Sequence, residues 1–508
     1  MRLRNTILTG ASSYIQMGSL MLTQLLAIPL ALHFLDNEQF GLWNFTSQSL
    51  GYLLLLDFGV SASLGRLLAE PLHRGDEREW NGWFSLVLVI LLAQALVIVT
   101  LGVALTDPLL HWFKIPDRLL AEARQLWLMM LVLNGVMLPM RLLTGILGAQ
   151  NRGYWSFVAI TVSMWCGLPA FYLFLKLGWG SLAYGCGSAV QMFLTFGLSL
   201  AAVLRGPNRF RLSARGIPWH HLHELFKFSS AVFMIGIAVQ IAFASQSLII
   251  TKVLGLGAVA SYSVCSRVPM LLLQLLWRPF DAFAPRWQIF WAREELPPLQ
   301  KEFRHILRLT LGLAGMVVIG SLALNRWFVF IFGKQELYAG KPFDFFLSVF
   351  VLVQVWNHCV SWPFMLTKCL KTFTAVVLVD TIVGLAAVIG GTHWFGLNGF
   401  VGALALYGLV SMCFWYINFQ GLPLLQLRTG DIVRENAGIL LLTGGFLLAG
   451  LGVFQATAGK TMIGIELALA TTATLAFGIL LRRELAELWG KLIRRLDRRK
   501  TTTAAEGR

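Results

Sequence analysis

The stretch Ser85-Leu-Val-Leu-Val-Ile-Leu-Leu-Ala-Gln-Ala-Leu-Val-Ile-Val-Thr-Leu-Gly-Val-Ala104 carries no charged side chain. A helix rising 1.5 Å per residue needs about 20 apolar residues to cross the hydrocarbon core of a bilayer. This stretch meets that requirement, and comparable runs recur along the whole chain. They number about fourteen, centred near Gln24, Leu53, Ala93, Val132, Val162, Met192, Val239, Leu271, Ala314, Val353, Val383, Tyr407, Phe446 and Ala470. Strands of a membrane barrel would alternate apolar and polar residues over short segments, and none of these runs does. Helices then satisfy every backbone group inside lipid. The expectation is an all-α polytopic membrane protein.

Composition agrees. Of 508 residues 57% are hydrophobic and only 13% charged, with a mean hydropathy of +0.69. Soluble domains carry roughly 25% charged residues, which excludes a water-soluble enzyme and a disordered chain. The net charge is +16, a value often associated with nucleic-acid binding. Position decides between that and membrane topology. With the N-terminus inside, 31 of the 41 Lys and Arg fall on the inner side, 9 on the outer side, and Arg267 within a helix. This asymmetry is the positive-inside pattern. It places both termini in the cytoplasm and makes nucleic acid an unnecessary partner. The basic tail Arg494-Arg-Leu-Asp-Arg-Arg-Lys500 and the aromatic, charged stretch from Arg286 to Arg308 read as contacts with anionic membrane lipids, the latter as an interfacial helix.

The chain also repeats itself. Phe40-Gly-Leu-Trp43 is echoed by Val259-Ala-Ser-Tyr262, and the turn from Gly178 to Tyr184 by that from Gly396 to Tyr407. Asn134 and Pro139 are echoed by Asn357 and Pro363, and Arg152-Gly-Tyr154 by Lys371-Thr-Phe373. All steps lie close to 220 residues. The expected organisation is two parallel six-helix repeats, residues 1–212 and 213–425, followed by two further helices (426–481) and a basic cytoplasmic tail (482–508). An even number of spans per half makes the repeats parallel, an arrangement used by transporters that rock one half against the other.

At these residues the sequence resembles a family. Glu38-Gln-Phe-Gly-Leu-Trp43, then Leu55-Leu-Asp-Phe-Gly59 and Arg66, are similar to the opening of bacterial polysaccharide-transport proteins. These are the O-antigen flippase type within the multidrug/oligosaccharidyl-lipid/polysaccharide superfamily. The segment from Leu254 to Tyr262 and the turn from Gly396 to Ala403 resemble it too. The resemblance implies fourteen spans and flipping of an undecaprenyl-pyrophosphate-linked oligosaccharide from the cytoplasmic to the periplasmic leaflet of the inner membrane. It implies a place in O-antigen, capsule or exopolysaccharide biosynthesis, with a polysaccharide polymerase and chain-length proteins as partners. No cofactor and no enzymatic activity are implied.

Charges inside spans are costly and therefore functional suspects. Arg267 lies near the midplane of its span, and Arg66 and Arg141 lie nearer span ends. An anionic pyrophosphate calls for fixed cations with the bidentate fork of arginine. Arg267, Arg66 and Arg141 are therefore candidate substrate-binding residues, together with Asn134 and Asn357 beside helix-breaking prolines. Each also has a structural reading as a paired or hydrogen-bonded group. Asp57 and Asp380 are candidates for ion coupling or for structural pairing. His220-His-Leu-His223 has no further ligands at metal-binding spacing, and the six cysteines read as small buried residues. No phosphate-binding G-x-x-x-x-G-K-[ST] loop occurs. Two alternatives remain open: a drug or cation antiporter of the multidrug and toxin extrusion branch, and a membrane glycosyltransferase using Asp36 and Glu38 as metal ligands.

Overall fold

The computed structural model describes residues 2–53, 68, 71, 74, 76–206, 222–367, 370–456 and 462–482. Among the described residues 92% are helical and none is in a strand. Long helices run in the order α1 (Arg2–Phe34), α2 (Asn37–Leu53), α3 (Glu77–Ala104), α4 (Asp117–Ala149), α5 (Tyr154–Lys176), α6 (Leu182–Leu204) and α7 (Leu222–Leu254). They continue as α8 (Leu256–Ala292), α9 (Leu296–Phe332), α10 (Lys341–Thr367), α11 (Leu370–Val410), α12 (Thr429–Ala456) and α13 (Met462–Leu480).

Eleven helical stretches among the described residues are long and apolar enough to cross a membrane. They account for twelve of the fourteen expected centres, because Lys371–Leu424 is one apolar stretch holding two of them. Within it the backbone breaks at Gly396, where φ is 62°. The last centre falls in the shorter apolar helix Gly464–Leu480. Of the span expected around Leu53, residues up to Leu53 belong to α2 and those that follow lie outside the described residues.

Two compact units emerge. The first comprises Met1–Val264, Ile331–Leu337 and Val377–Leu397, the second Cys265–Phe330, Tyr338–Val376 and Asn398–Arg508. In the first unit α5 packs along both α1 and α6, α4 packs along α3 and α6, and α2 lies along α7. Lipid gives little hydrophobic drive for helices to associate, so close backbone approach at small residues takes over. A Cβ on Gly167 of α5 would sit 3.1 Å from the Gly187 carbonyl of α6, and one on Gly187 3.2 Å from that of Gly167. Gly41 of α2 is tighter still, since a Cβ there would stand 2.1 Å from the Leu256 carbonyl oxygen.

In the second unit α8 runs unbroken through Ala292 and α9 starts at Leu296. This corrects the expectation of an interfacial helix between Arg286 and Arg308. Trp287 is fully buried, with its ring centre 4.7 Å from that of Phe280 and 5.7 Å from that of Phe303. An aromatic ring enclosed in this way packs the end of a bundle instead of lying on headgroups. Cys186, Cys265 and Cys359 are buried as expected, whereas Cys166 is exposed on α5.

Replacing Gly41 by Ala forces α2 away from Leu256. The expected loss is about 1–3 kcal/mol, the usual cost of overpacking, read as a lower melting temperature of the purified protein in detergent. Gly10→Ala, where a Cβ meets nothing within 4 Å, is the control and leaves the melting temperature unchanged.

Candidate functional site

The motif between the first two spans is a structural joint. Asp36 caps α2: its Oδ1 accepts the Gln39 backbone N–H at 2.7 Å, and Gln39 Oε1 accepts the Asp36 N–H at 3.3 Å. This is a reciprocal capping box. Arg118, at the start of α4, donates to Asp36 Oδ2 at 3.0 Å and to Glu38 Oε2 at 2.7 Å. Partial burial opposes ionisation of Asp36, but the Gln39 amide and the Arg118 guanidinium outweigh it and hold its carboxyl below the usual range. Its contribution to stability is therefore complete above the ordinary aspartate range and is lost as the pH falls through the lowered pKa. Both carboxylates that a glycosyltransferase would have used for a metal are held by one arginine.

Glu122, one turn further along α4, ties three segments together. It accepts Gln39 Nε2 at 3.1 Å and the Ser181 backbone N–H at 2.5 Å. The turn before α6 reaches it because Gly180 takes a φ of 56°, the left-handed region that glycine occupies without strain. Below this junction Trp43 of the motif packs on Tyr184, with ring centres 4.8 Å apart, and on Phe171 at 5.4 Å.

The second unit holds a buried polar network. Asn325 Nδ2 donates to the Cys265 carbonyl at 2.8 Å and to Asp344 Oδ1 at 2.7 Å. Tyr338 donates its hydroxyl to Asp344 Oδ2 at 2.6 Å. Burial, followed by the adjoining Asp344 carboxylate, pushes the Tyr338 phenol far above its ordinary value and keeps it a donor. Glu466 of α13 is completely buried, 2.9 Å from Lys341 Nζ, and also accepts the Trp327 indole N–H. A buried carboxylate is tolerated when paired and hydrogen-bonded in this manner.

The candidate residues distribute over both units. Asn134 and Arg141 are half-buried on α4, seven residues apart and so on one helix face. Asn134 Nδ2 donates to the Met130 carbonyl at 2.7 Å within its own helix. Asp380 is half-buried on α11 in the first unit. Arg267 is half-buried on α8, eleven residues after its start, or about 16 Å along the axis at 1.5 Å per residue. Asn357 sits on α10 with its Oδ1 buried and without a hydrogen-bond partner. Arg66, Asp57, the His220–His223 side chains and the tail beyond Arg482 lie outside the described residues.

Sequence reasoning passes over Glu466 and over a pair on α8 and α10, Asp281 and His358, whose side chains meet at 2.8 Å. Glu466 had a signal, being an acid inside an apolar run. Asp281 had a weaker one, as it follows Trp277 by one turn on the same helix face.

Solved structures of the same architecture are transporters. A multidrug resistance transporter of the MATE family, in an inward-facing conformation, matches with a TM-score of 0.67 at 12% identity, over 82% of this chain and 96% of its own. The lipid II flippase MurJ, in an inward closed conformation, matches with a TM-score of 0.66 at 14% identity, over 94% of this chain and 100% of its own. A MOP-superfamily transporter from Pyrococcus furiosus matches at 0.60 and 13% identity, over 84% and 97%. The fold is thus that of MOP-superfamily transporters, in a multi-pass membrane protein. The model of the polysaccharide biosynthesis protein family matches residues 3–287, and the chain belongs to that family. No curated protein sequence matches it.

Replacing Lys341 by Ala leaves Glu466 buried without its cation. The expected cost is about 3–5 kcal/mol, measured by thermal or denaturant unfolding in detergent. Adding Glu466→Gln to that variant recovers part of the loss, since a neutral amide needs no counter-charge.

Proposed function

We propose that the chain flips a polyprenyl-pyrophosphate-linked oligosaccharide from the cytoplasmic to the periplasmic leaflet of the bacterial inner membrane. The match to the polysaccharide biosynthesis family over residues 3–287 carries this reading. The fold shared with a lipid II flippase over 94% of the chain supports it, against 82% for the multidrug transporter. The product would feed O-antigen, capsule or exopolysaccharide assembly, alongside a polymerase and chain-length proteins. The protein acts as a transporter and makes or breaks no covalent bond.

In this reading the halves 1–212 and 213–425 alternate between inward and outward states around the substrate, with both termini cytoplasmic. The pyrophosphate is the part common to such substrates, and it is anionic. Arg267 meets it near the midplane, and Arg66 and Arg141 attract it from the cytoplasmic side. Asn134 and Asn357 contribute polar contacts for the sugar or for water, which the unpartnered Oδ1 of Asn357 favours. Asp57 and Asp380 serve ion coupling or structural pairing.

Arg267→Ala tests the assignment. The variant is expected to reach the membrane at wild-type amount and to fail to restore surface polysaccharide in a deletion strain. Arg267→Lys restores it in part, because it keeps the charge and loses the bidentate fork. Full complementation by Arg267→Ala would remove Arg267 from the site.

A further inference from the structure

α8 and α10 meet at a polar pair to which the transport reading gives no role. His358 Nε2 lies 2.8 Å from Asp281 Oδ1. The imidazole stacks on Trp277, with ring centres 4.8 Å apart and planes 15° apart. Trp277 and Asp281 stand one turn apart on α8, so a single helix face supplies both the stacking ring and the carboxylate. Asp281 precedes the end of α8 by eleven residues and His358 precedes the end of α10 by nine, roughly 16 and 14 Å along the axes. The pair therefore lies about two to three turns inside both helices, toward the expected cytoplasmic end of α8. Its side chains nevertheless keep 26% and 35% of their surface accessible. The pair is held in place and within reach of a proton.

We propose that the His358–Asp281 pair is a proton-binding site that couples proton movement to the transport cycle. The proposal rests on the transport reading above. Imidazole is the side chain that gains and loses a proton in the physiological range. With Nε2 directed at the carboxylate, the incoming proton binds Nδ1, the nitrogen that Asp281 does not engage. The protonated pair is net neutral and the deprotonated pair carries one negative charge. A conformation that exposes the pair differently to water or lipid binds the proton with a different affinity. By linkage, the proton then biases the conformation to the same extent.

Among the described residues the elements around the pair carry several charges, including Lys371 on α11, whose Phe373 stacks on Phe364 of α10. On α8 the neighbouring charges are Arg278 and Arg286, and Arg286 is paired with Glu302. Cys359 follows His358 on α10, fully buried and electrostatically coupled to Asp281. α9 packs on α8 and α10 and brings Lys301, Glu302, Arg304, His305 and Arg308 at one end and Arg326 at the other. The segment Ile417–Gly421 packed on α10 carries no ionisable side chain. α12, also packed on α10, carries Asp431, Arg434 and Glu435, and Glu435 is paired with Arg304.

The test uses the full chain in proteoliposomes with a fluorescent undecaprenyl-pyrophosphate-linked oligosaccharide as probe. One proton coupled per cycle lets a gradient of about one pH unit sustain an about tenfold leaflet asymmetry of the probe. The wild type and the control His305→Gln are expected to reach that asymmetry and to lose it when the gradient is dissipated. His358→Gln and Asp281→Asn are expected to equalise the leaflets without responding to the gradient. A wild-type response retained in His358→Gln overturns the proposal, as does a wild type that moves the probe indifferently to pH. A wild type that does not move the probe counts against the flippase reading instead. Histidine-selective nitrogen-15 NMR of the substrate-free protein then decides the proton site. A resonance that responds to pH, absent from His358→Gln and shifted in Asp281→Asn, supports the site. Its absence in the wild type overturns it.

Discussion

Hydrocarbon offers no hydrogen bonds, and many polar groups of the described helices answer to that constraint. Among the described residues the backbone meets it by being helical nearly throughout. Hydroxyls within the spans meet it by bonding back onto their own helices: Thr23 onto Ser19, Ser163 onto Ala159, Thr392 onto Val388 and Thr443 onto Ile439, all at 2.6–2.8 Å. Carboxylates cannot do so and need partners from elsewhere in the chain. Glu122 gathers Gln39 and Ser181, Asp344 gathers Asn325 and Tyr338, and Glu466 gathers Lys341 and Trp327. Each of these acids fixes one helix end relative to another within its unit. The rigidity of the ends follows from the expense of leaving such groups unmade.

The family motif acquires a physical meaning from the same rule. Phe40-Gly-Leu-Trp43 contributes a glycine on which α2 meets the Leu256 carbonyl, a glutamine neighbour that reaches Glu122, and an indole that packs on Tyr184. None of these residues binds substrate in this account. They set the position of the helices they join.

The fold was largely legible because its signal is long. An apolar run of a span's length allows one conformation, and charge asymmetry orders the runs. The turns at Gly178–Gly180 and at Gly396 were legible as well, and all three glycines take positive φ. Side-chain partnerships were not legible. Glu466 and Lys341 are 125 residues apart, and Asp281 and His358 are 77 apart. No periodicity within either helix names its partner. Trp287 shows the opposite failure, since an aromatic residue among charges reads as interfacial and here closes a core.

The proposed function is movement of a lipid-linked oligosaccharide between leaflets. The most direct measurement is the leaflet distribution of that lipid in cells depleted of the protein, read by sealed-vesicle accessibility to a sugar-modifying enzyme. The account predicts that the lipid-linked oligosaccharide accumulates and is confined to the cytoplasmic leaflet, and that it redistributes when the protein is restored. An unchanged distribution, accompanied by accumulation of a cationic drug in the depleted cells, would contradict it.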